Sequence, residues 1–371
     1  MSSTNWVEID LAAIRGNVKR LGELAGGAGV MAVEKANAYG HGAAGVAAAA
    51  VAAGAAWLGV ARPEEALALR AAGIGARVLV LGYTPPEMAA EAIGQDVTLA
   101  VFEAETAAAY AATAQALGRR ARVHVKLDTG MGRLGVAAAE GPAFVRSLNA
   151  LPGLAVEGLF THFAGSDTAD LGSARAQMGR FEAALAALTA AGLRPHWVHA
   201  ANSAAIWRLP AANYGLVRSG IALYGLDPSS DAPCPPGFRP ALAWKARVMQ
   251  VKTLPAGHGV SYGAEYVTTA PETLAVVATG YADGFRRVPK GVNEVLLGGQ
   301  RAPVRGRVCM DQIIVSVDHI PGVRAGDEAV LLGEQGAGRI SADDLARRWG
   351  TINYDVTSGI MGRVERRYGE G

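Results

Sequence analysis

The chain has 371 residues, half of them hydrophobic and 18% charged, which excludes a single small module and a largely disordered chain, since disordered segments lack the apolar surface that offsets ordering entropy. Its 35 basic and 33 acidic residues leave a formal charge of +2, too weak a field for nucleic acid or an anionic membrane surface, so the expected partner is small or a protein. Two cysteines, Cys234 and Cys309, are too few for a disulfide framework and lack metal-ligand spacing, which predicts a reducing, cytoplasmic setting.

In chain order, the first ten residues carry Glu8 and Asp10 without an apolar stretch, so no secretory leader is expected. A helix over residues 10–24 precedes eight short β-type runs, at 30–36, 57–61, 78–82, 97–102, 122–127, 155–163, 197–201 and 215–224. Ala-rich helical segments such as 63–72, 103–117 and 175–191 lie between them. Eight such units predict an α/β fold of (β/α)8 barrel type over residues 1–230, with a doubly wound open sheet as the alternative. The 20 uncharged residues 42–61 do not read as a membrane span, because Ala and Gly dominate and Gly54 divides a helix from a strand. Pro228, Pro233, Pro235, Pro236 and Pro240 mark a linker, and the β-rich runs 242–254, 274–279, 294–297, 304–317 and 328–332, with one helix at 342–349, predict a smaller, mainly β domain over 231–371.

Reacting groups in such a barrel sit at the carboxyl ends of its strands. Lys35 ends the first run and shares a face with Met31 and Val33; it is either an amine made available by desolvation or a lysine snorkelling from the barrel mouth. On the fifth run Arg122, His124, Lys126 and Asp128 alternate with Val123, Val125 and Leu127, so one face is polar, and a Gly-rich loop continues to Arg133, placed to meet a carboxylate. A buried ion-pair cluster accounts for the same pattern. His162 closes the sixth run, as a core histidine or a catalyst. Asn202 and Ser203 end the seventh, where Ser203 caps a helix over 204–209 and can offer its hydroxyl to an anion, and Gly220 follows Arg218 on the eighth, where Gly permits close backbone approach. Jointly these favour a phosphorylated ligand, and with a barrel-mouth amine and no Walker or dinucleotide pattern they point to pyridoxal phosphate. No metal is expected: His196 and His199, three apart on a strand, face opposite ways.

Six motifs, in order, carry a resemblance over essentially the whole chain: Val33-Glu-Lys-Ala-Asn-Ala-Tyr-Gly-His-Gly42, Val125-Lys-Leu-Asp-Thr-Gly-Met-Gly-Arg-Leu-Gly135, Thr161-His-Phe-Ala164, Arg218-Ser-Gly-Ile-Ala-Leu-Tyr-Gly225, Val260-Ser-Tyr-Gly263 and Cys309-Met-Asp-Gln312. The chain resembles the alanine racemases, fold-type III pyridoxal-phosphate enzymes that interconvert L- and D-alanine and supply D-alanine for peptidoglycan. The resemblance implies that Lys35 holds pyridoxal 5'-phosphate covalently, that Tyr39, Ser203, Gly220, Ile221 and Tyr354 hold its phosphate, and that Leu81 and Asn202 lie beside it. Arg218 would face the ring nitrogen, with His162 orienting it; Arg133 and Met310 would bind substrate. Lys35 and Tyr262 would be the two bases, Tyr262 from the other subunit of a homodimer with shared sites. A phenol ordinarily ionises near pH ~10, so Arg133, His162 and Arg218 are expected to supply cations nearby.

Lys126 matches a position carbamylated in some relatives, and Asp167, Arg307, Asp311 and Ile352 match positions along the substrate entrance. Tyr354 and Met310 would leave room for a methyl side chain, favouring alanine over bulky amino acids. Three departures stand out: Glu34 replaces an aliphatic residue and needs a partner on the helical side, Asp355 stands where Glu is common, and Arg286 and Arg287 compete for one entrance position. Among rival readings, a fold-type III decarboxylase normally has Glu in place of Arg218, a pyridoxal-phosphate carrier of the same barrel type lacks the β domain, and broad-specificity or serine racemases, the first of these typically exported, share the fold.

Overall fold

The computed structural model describes residues 3–289 and 291–370. The chain divides into two compact units: a barrel unit of Ala12–Ala38 with Ala43–Pro240, and a β unit formed by the chain start through Leu11, Tyr39–Gly42 and the chain from Ala241 onward. Among the described residues no helix is long and apolar enough to cross a membrane; the uncharged stretch at 42–61 holds the helix Ala43–Ala52 and a four-residue strand.

The strands, in chain order, begin with β1 (Asn5–Asp10), β2 (Gly29–Val33), β3 (Trp57–Val60), β4 (Val78–Val80), β5 (Thr98–Val101), β6 (Ala121–Asp128), the two-residue β7 (Val136–Ala137), β8 (Leu154–Phe160), β9 (Trp197–His199) and β10 (Leu216–Ser219). Eight of them pair in the order β10-β2-β3-β4-β5-β6-β8-β9, all parallel. The Gly215 amide donates to the Val198 carbonyl at 3.2 Å and the Arg218 amide to that of Ala201 at 2.9 Å, which brings the sheet to a nearly closed barrel. Strands covered on both faces carry apolar residues at every position, which is why Val78–Val80 and Thr98–Val101 are buried throughout and read as short apolar runs. Seven of the eight runs end sooner than their composition predicts, β2 and β10 among them. β2 stops at Val33, where the backbone turns left-handed, and β10 stops at Ser219, before a tight turn over Ile221–Tyr224. Gly225 closes that turn at φ 73°, where an added Cβ would lie 1.9 Å from the Arg239 carbonyl oxygen.

In the β unit β11 (Leu242–Leu254), β12 (Gly259–Val260), β13 (Tyr266–Val267), β14 (Glu272–Val277), β15 (Glu294–Leu297), β16 (Gln300–Pro303), β17 (Ile313–Ser316), β18 (Glu328–Gln335), β19 (Gly338–Ile340) and β20 (Glu365–Gly369) follow. The main sheet runs β16-β15-β18-β11-β1-β20, with β14 and β17 extending from β11. The chain start, expected with the barrel, forms β1 here: Val7 pairs antiparallel with Trp244 and parallel with Arg366, and Trp6, Val7 and Ile9 are buried. The division between units falls at 240/241 rather than near 230, and of the run 304–317 only Ile313–Ser316 is a strand, with Val304 bridging Val315. Trp244, Phe285 and Trp349 stack edge to face in the core, ring centres 6.1 and 5.8 Å apart, and Trp244 Nε1 donates to Asn5 Oδ1 at 2.7 Å.

Candidate active site

Lys35 follows β2 at the open end of the barrel and begins a turn in which Ala36, Asn37, Ala38 and Tyr39 all have φ between 52° and 54°. The left-handed helical region costs an L-residue about 1–2 kcal/mol, so four in succession persist only where surrounding bonds compel them. Those bonds are present. The Ala36 amide donates to Glu65 Oε1 at 2.6 Å, the Ala38 amide to the Glu34 carbonyl at 2.7 Å, and the Ala43 amide to Asn37 Oδ1 at 2.9 Å. Burial, followed by the nearby Arg133 guanidinium, pulls the Lys35 amine below its usual range, while Glu65 opposes the shift. Glu34 is fully buried, and among the described residues neither of its oxygens meets a donor; the partner expected for it is missing, and burial holds its carboxyl well above the usual range.

The polar face of β6 crosses the barrel interior. At its far end Arg122 pairs with Asp96 at 2.5 Å; at the Lys35 end Lys126 is buried, its amine pulled to about 8 by burial and by Arg133, Arg218 and Lys35. Asp128 Oδ1 accepts the amides of Gly130, Met131 and Gly132 at 2.8, 2.9 and 3.2 Å, and so shapes the loop that presents the exposed Arg133. Arg218 is buried, with donors at 2.7 Å from the Thr161 carbonyl, 3.0 Å from that of Ala200, 3.0 Å from His199 Nδ1 and 3.3 Å from His162 Nδ1. A guanidinium only donates, so both Nδ1 atoms accept; His199 then carries its proton on Nε2, 2.8 Å from His124 Nδ1. Burial, and then the crowd of cations, push His162 and His199 well below the usual histidine range, which works against the cation expected of His162. Phe160, which sequence reasoning passed over, stacks on His199 at 4.8 Å and lies under Lys126 and Arg218 at 5.4 and 5.5 Å.

The last two barrel units form a cradle. Asn202, not Ser203, caps the helix Ser203–Arg208, its Oδ1 accepting the Ala205 amide at 3.2 Å. That leaves the buried Ser203 hydroxyl to accept the amides of Gly220 at 3.0 Å and Ala222 at 3.4 Å, on either side of Ile221. Converging amides and a hydroxyl at a helix start are the donor set an anion requires. Leu81 is half-buried just after β4, and the Asp167 carbonyl accepts the Ser229 hydroxyl.

In the β unit, Tyr39 and Tyr354 meet with ring centres 6.0 Å apart. Tyr262 and Met310 are 68% and 52% exposed and line one open cleft with Ser261, Cys309, Asp311 and Gln312. Ser261 has φ 62°, a strained value for a non-glycine residue, and its hydroxyl donates to the Arg307 carbonyl at 2.7 Å. Asp311 pairs with Arg363 at 2.5 Å, Arg307 with Glu265, and Arg286 rather than Arg287 with Asp355; Ile352 is exposed.

Residues 9–228 match the family model for the alanine racemase N-terminal domain and residues 241–368 that for its C-terminal domain. The chain belongs to the alanine racemase family. It is 47% identical to the alanine racemase of Desulfovibrio desulfuricans, over 98% of each chain, and 48% identical to that of Symbiobacterium thermophilum, over 98% of this chain and 97% of the other. A solved alanine racemase from Streptomyces lavendulae superposes with TM-score 0.94 at 42% identity, covering 100% of this chain and 98% of that one. A Bacillus anthracis alanine racemase structure with bound L-Ala-P gives TM-score 0.93 at 40% identity, over 98% of this chain and 94% of that one.

This chain is therefore an isomerase of the alanine racemase family, a group generally dependent on pyridoxal phosphate, and its barrel suits such a group. Lys35, Lys126, Arg133 and Arg218 interact across one small volume around His162, where an anionic ligand relieves their mutual repulsion. Glu65, His124, His199 and Phe160 are supporting residues outside the six motifs, while Asp128 lies within one of them. Glu65 left a faint trace in the sequence, as an acidic residue four after the end of a strand run and two after Pro63.

Proposed function

We propose that the chain interconverts L- and D-alanine with pyridoxal 5'-phosphate, by two bases on opposite faces of the substrate. The mutual repulsion of Lys35, Lys126, Arg133 and Arg218 around His162, together with the Ser203 cradle, carries this reading. Lys35 would hold the cofactor, the Ser203 hydroxyl with the Gly220 and Ile221 backbone its phosphate, joined by Tyr39 and Tyr354, with Leu81 and Asn202 beside it. When bound, pyridoxal phosphate supplies an electron sink that acidifies the proton on the α-carbon of an attached amino acid. Arg133 and Met310 position the substrate, Arg133 by pairing with its carboxylate. The Lys35 amine, made available by burial, carries a proton at Nζ on one face, and the Tyr262 hydroxyl carries one on the other. Tyr262 takes the proton from L-alanine and Lys35 that from D-alanine. Arg218, held by His199, His162 and two carbonyls, would face the ring nitrogen and donate to it without giving up its proton, which would favour return of a proton to carbon over side reactions.

The exposure of Tyr262 and Met310 supports a homodimer in which the mainly β domain of each chain completes the site on its partner's barrel. Lys126, with its amine near 8, is suited to add carbon dioxide and release a proton, giving a carbamate that pairs with Arg133. Asp167, Arg307, Asp311 and Ile352 line the substrate entrance in this reading. Two free cysteines fit the cytoplasm. Borohydride treatment of the yellow protein tests the proposal: the cofactor becomes fixed to the peptide containing Lys35, and optical rotation of L-alanine decays before but not after treatment. Label on another peptide overturns it.

A further inference from the structure

We infer that Glu65 is the positioning residue for Lys35: one carboxylate oxygen caps its own helix while the other fixes the backbone amide immediately after the lysine. The inference rests on the reading of Lys35 given above. Glu65 is the third residue of the helix Pro63–Ala71, and its Oε2 accepts the amides of Ala61 at 2.8 Å and Arg62 at 3.1 Å. That satisfies two free donors at the start of a helix and needs a single oxygen. Oε1 is turned instead to the neighbouring strand end and accepts the Ala36 amide at 2.6 Å, a short charge-assisted bond. The tie joins the loops after β2 and β3, whose last paired residues are Val33 and Gly59.

Ala36 and Asn37 are exposed and Ala36 opens the left-handed turn, so its amide has water as the alternative acceptor and the turn a right-handed alternative. Glu65 removes both alternatives. It is also the carboxylate that counters Arg133 at the Lys35 amine, where Lys126 and His162 are further titratable groups that interact with it. A helix cap alone does neither.

Glu65→Gln separates the two roles, because the amide side chain can keep its oxygen on Ala61 and Arg62 while its NH2 group faces the Ala36 N–H. In the holoenzyme, hydrogen exchange of the Ala36 amide is expected to accelerate about tenfold or more, and kcat to fall about tenfold to a hundredfold with KM moved less than threefold, the scale of one lost charge-assisted bond. The limb of the pH profile belonging to the Lys35 amine moves to lower pH, because a counter-charge has gone. Unchanged exchange, kcat and pH limb overturn the inference, whatever happens to thermal stability. If Glu65→Gln does not fold, the native holoenzyme decides: an Ala36 amide exchanging as fast as that of exposed Asn37 overturns the inference, and strong protection of Ala36 alone upholds it. Borohydride labelling of the native protein away from Lys35 would instead mark failure of the functional reading, with the exchange result unaffected.

Discussion

The Lys35 end of the barrel and the Tyr262 cleft of the β unit hold their key side chains by opposite means. Around Lys35 the functional groups are mutually repelling cations, Lys126 and Arg218 buried among them, and carboxylates such as Glu65 and Asp128 each fix a loop by accepting three backbone amides. Around Tyr262 the side chains stand exposed, and order comes from the backbone: a strained Ser261, and the amides of Tyr281 and Ala282 bonded to the Cys309 and Met310 carbonyls at 3.0 Å. In the function proposed above, the barrel half is preorganised for the cofactor and the β half presents its groups to the partner chain. Preorganised charge does its work in place, and exposed groups act once a partner covers them.

The largest effect should come from breaking the exposed half. Tyr262→Phe is expected to lower α-proton exchange from L-alanine by about 10²–10⁴, the range for loss of one general base, and exchange from D-alanine by much less. Equal loss from both enantiomers, measured by solvent deuterium incorporation, would argue for a single base. Next is the loop carrying Arg133. Asp128→Asn weakens the acceptor of three amides, and about tenfold in the KM for alanine is expected with kcat changed less, as steady-state kinetics would show.

A third test sharpens the contrast through stability. Glu34 is buried and, among the described residues, no donor meets its oxygens, so Glu34→Leu should stabilise the fold by about 1–3 kcal/mol, read from denaturant midpoints. The effect should depend on pH in a defined direction. The folded carboxyl binds its proton more tightly than the unfolded one, so native stability falls as pH rises from about 4 toward the raised folded value, and the variant should flatten that decline. An unchanged pH dependence would mean that Glu34 finds a partner in solution. Smallest of all is Arg347→Ala, which breaks an exposed pair with Asp344 and should move Tm by no more than about one or two degrees.

Much of this architecture is legible in the sequence for a physical reason. Parallel strands covered on both faces leave uninterrupted apolar runs, and the polar face of residues 122–128 is visible because the barrel interior breaks that rule on one strand. β1 escapes detection because its partners Trp244 and Arg366 lie some 240 and 360 positions away, and short pairings carry no local signal. The left-handed turn at Ala36–Tyr39 is invisible because none of its four residues is glycine; bonds from distant residues impose the conformation. The tie from Glu65 to Ala36 escapes for the same reason: that second oxygen bonds 29 positions upstream. The Ser203 hydroxyl is legible as a donor site, yet which residue caps the helix depended on side-chain geometry and fell to Asn202.

Shared sites are the claim on which the rest depends, and mixing two inactive variants tests it most directly. Lys35→Ala and Tyr262→Phe chains, each nearly inactive alone, should on subunit exchange yield hybrid dimers with one intact site, and so a quarter or so of native activity at equal mixing. No recovered activity after exchange has been demonstrated by mass spectrometry would contradict the account.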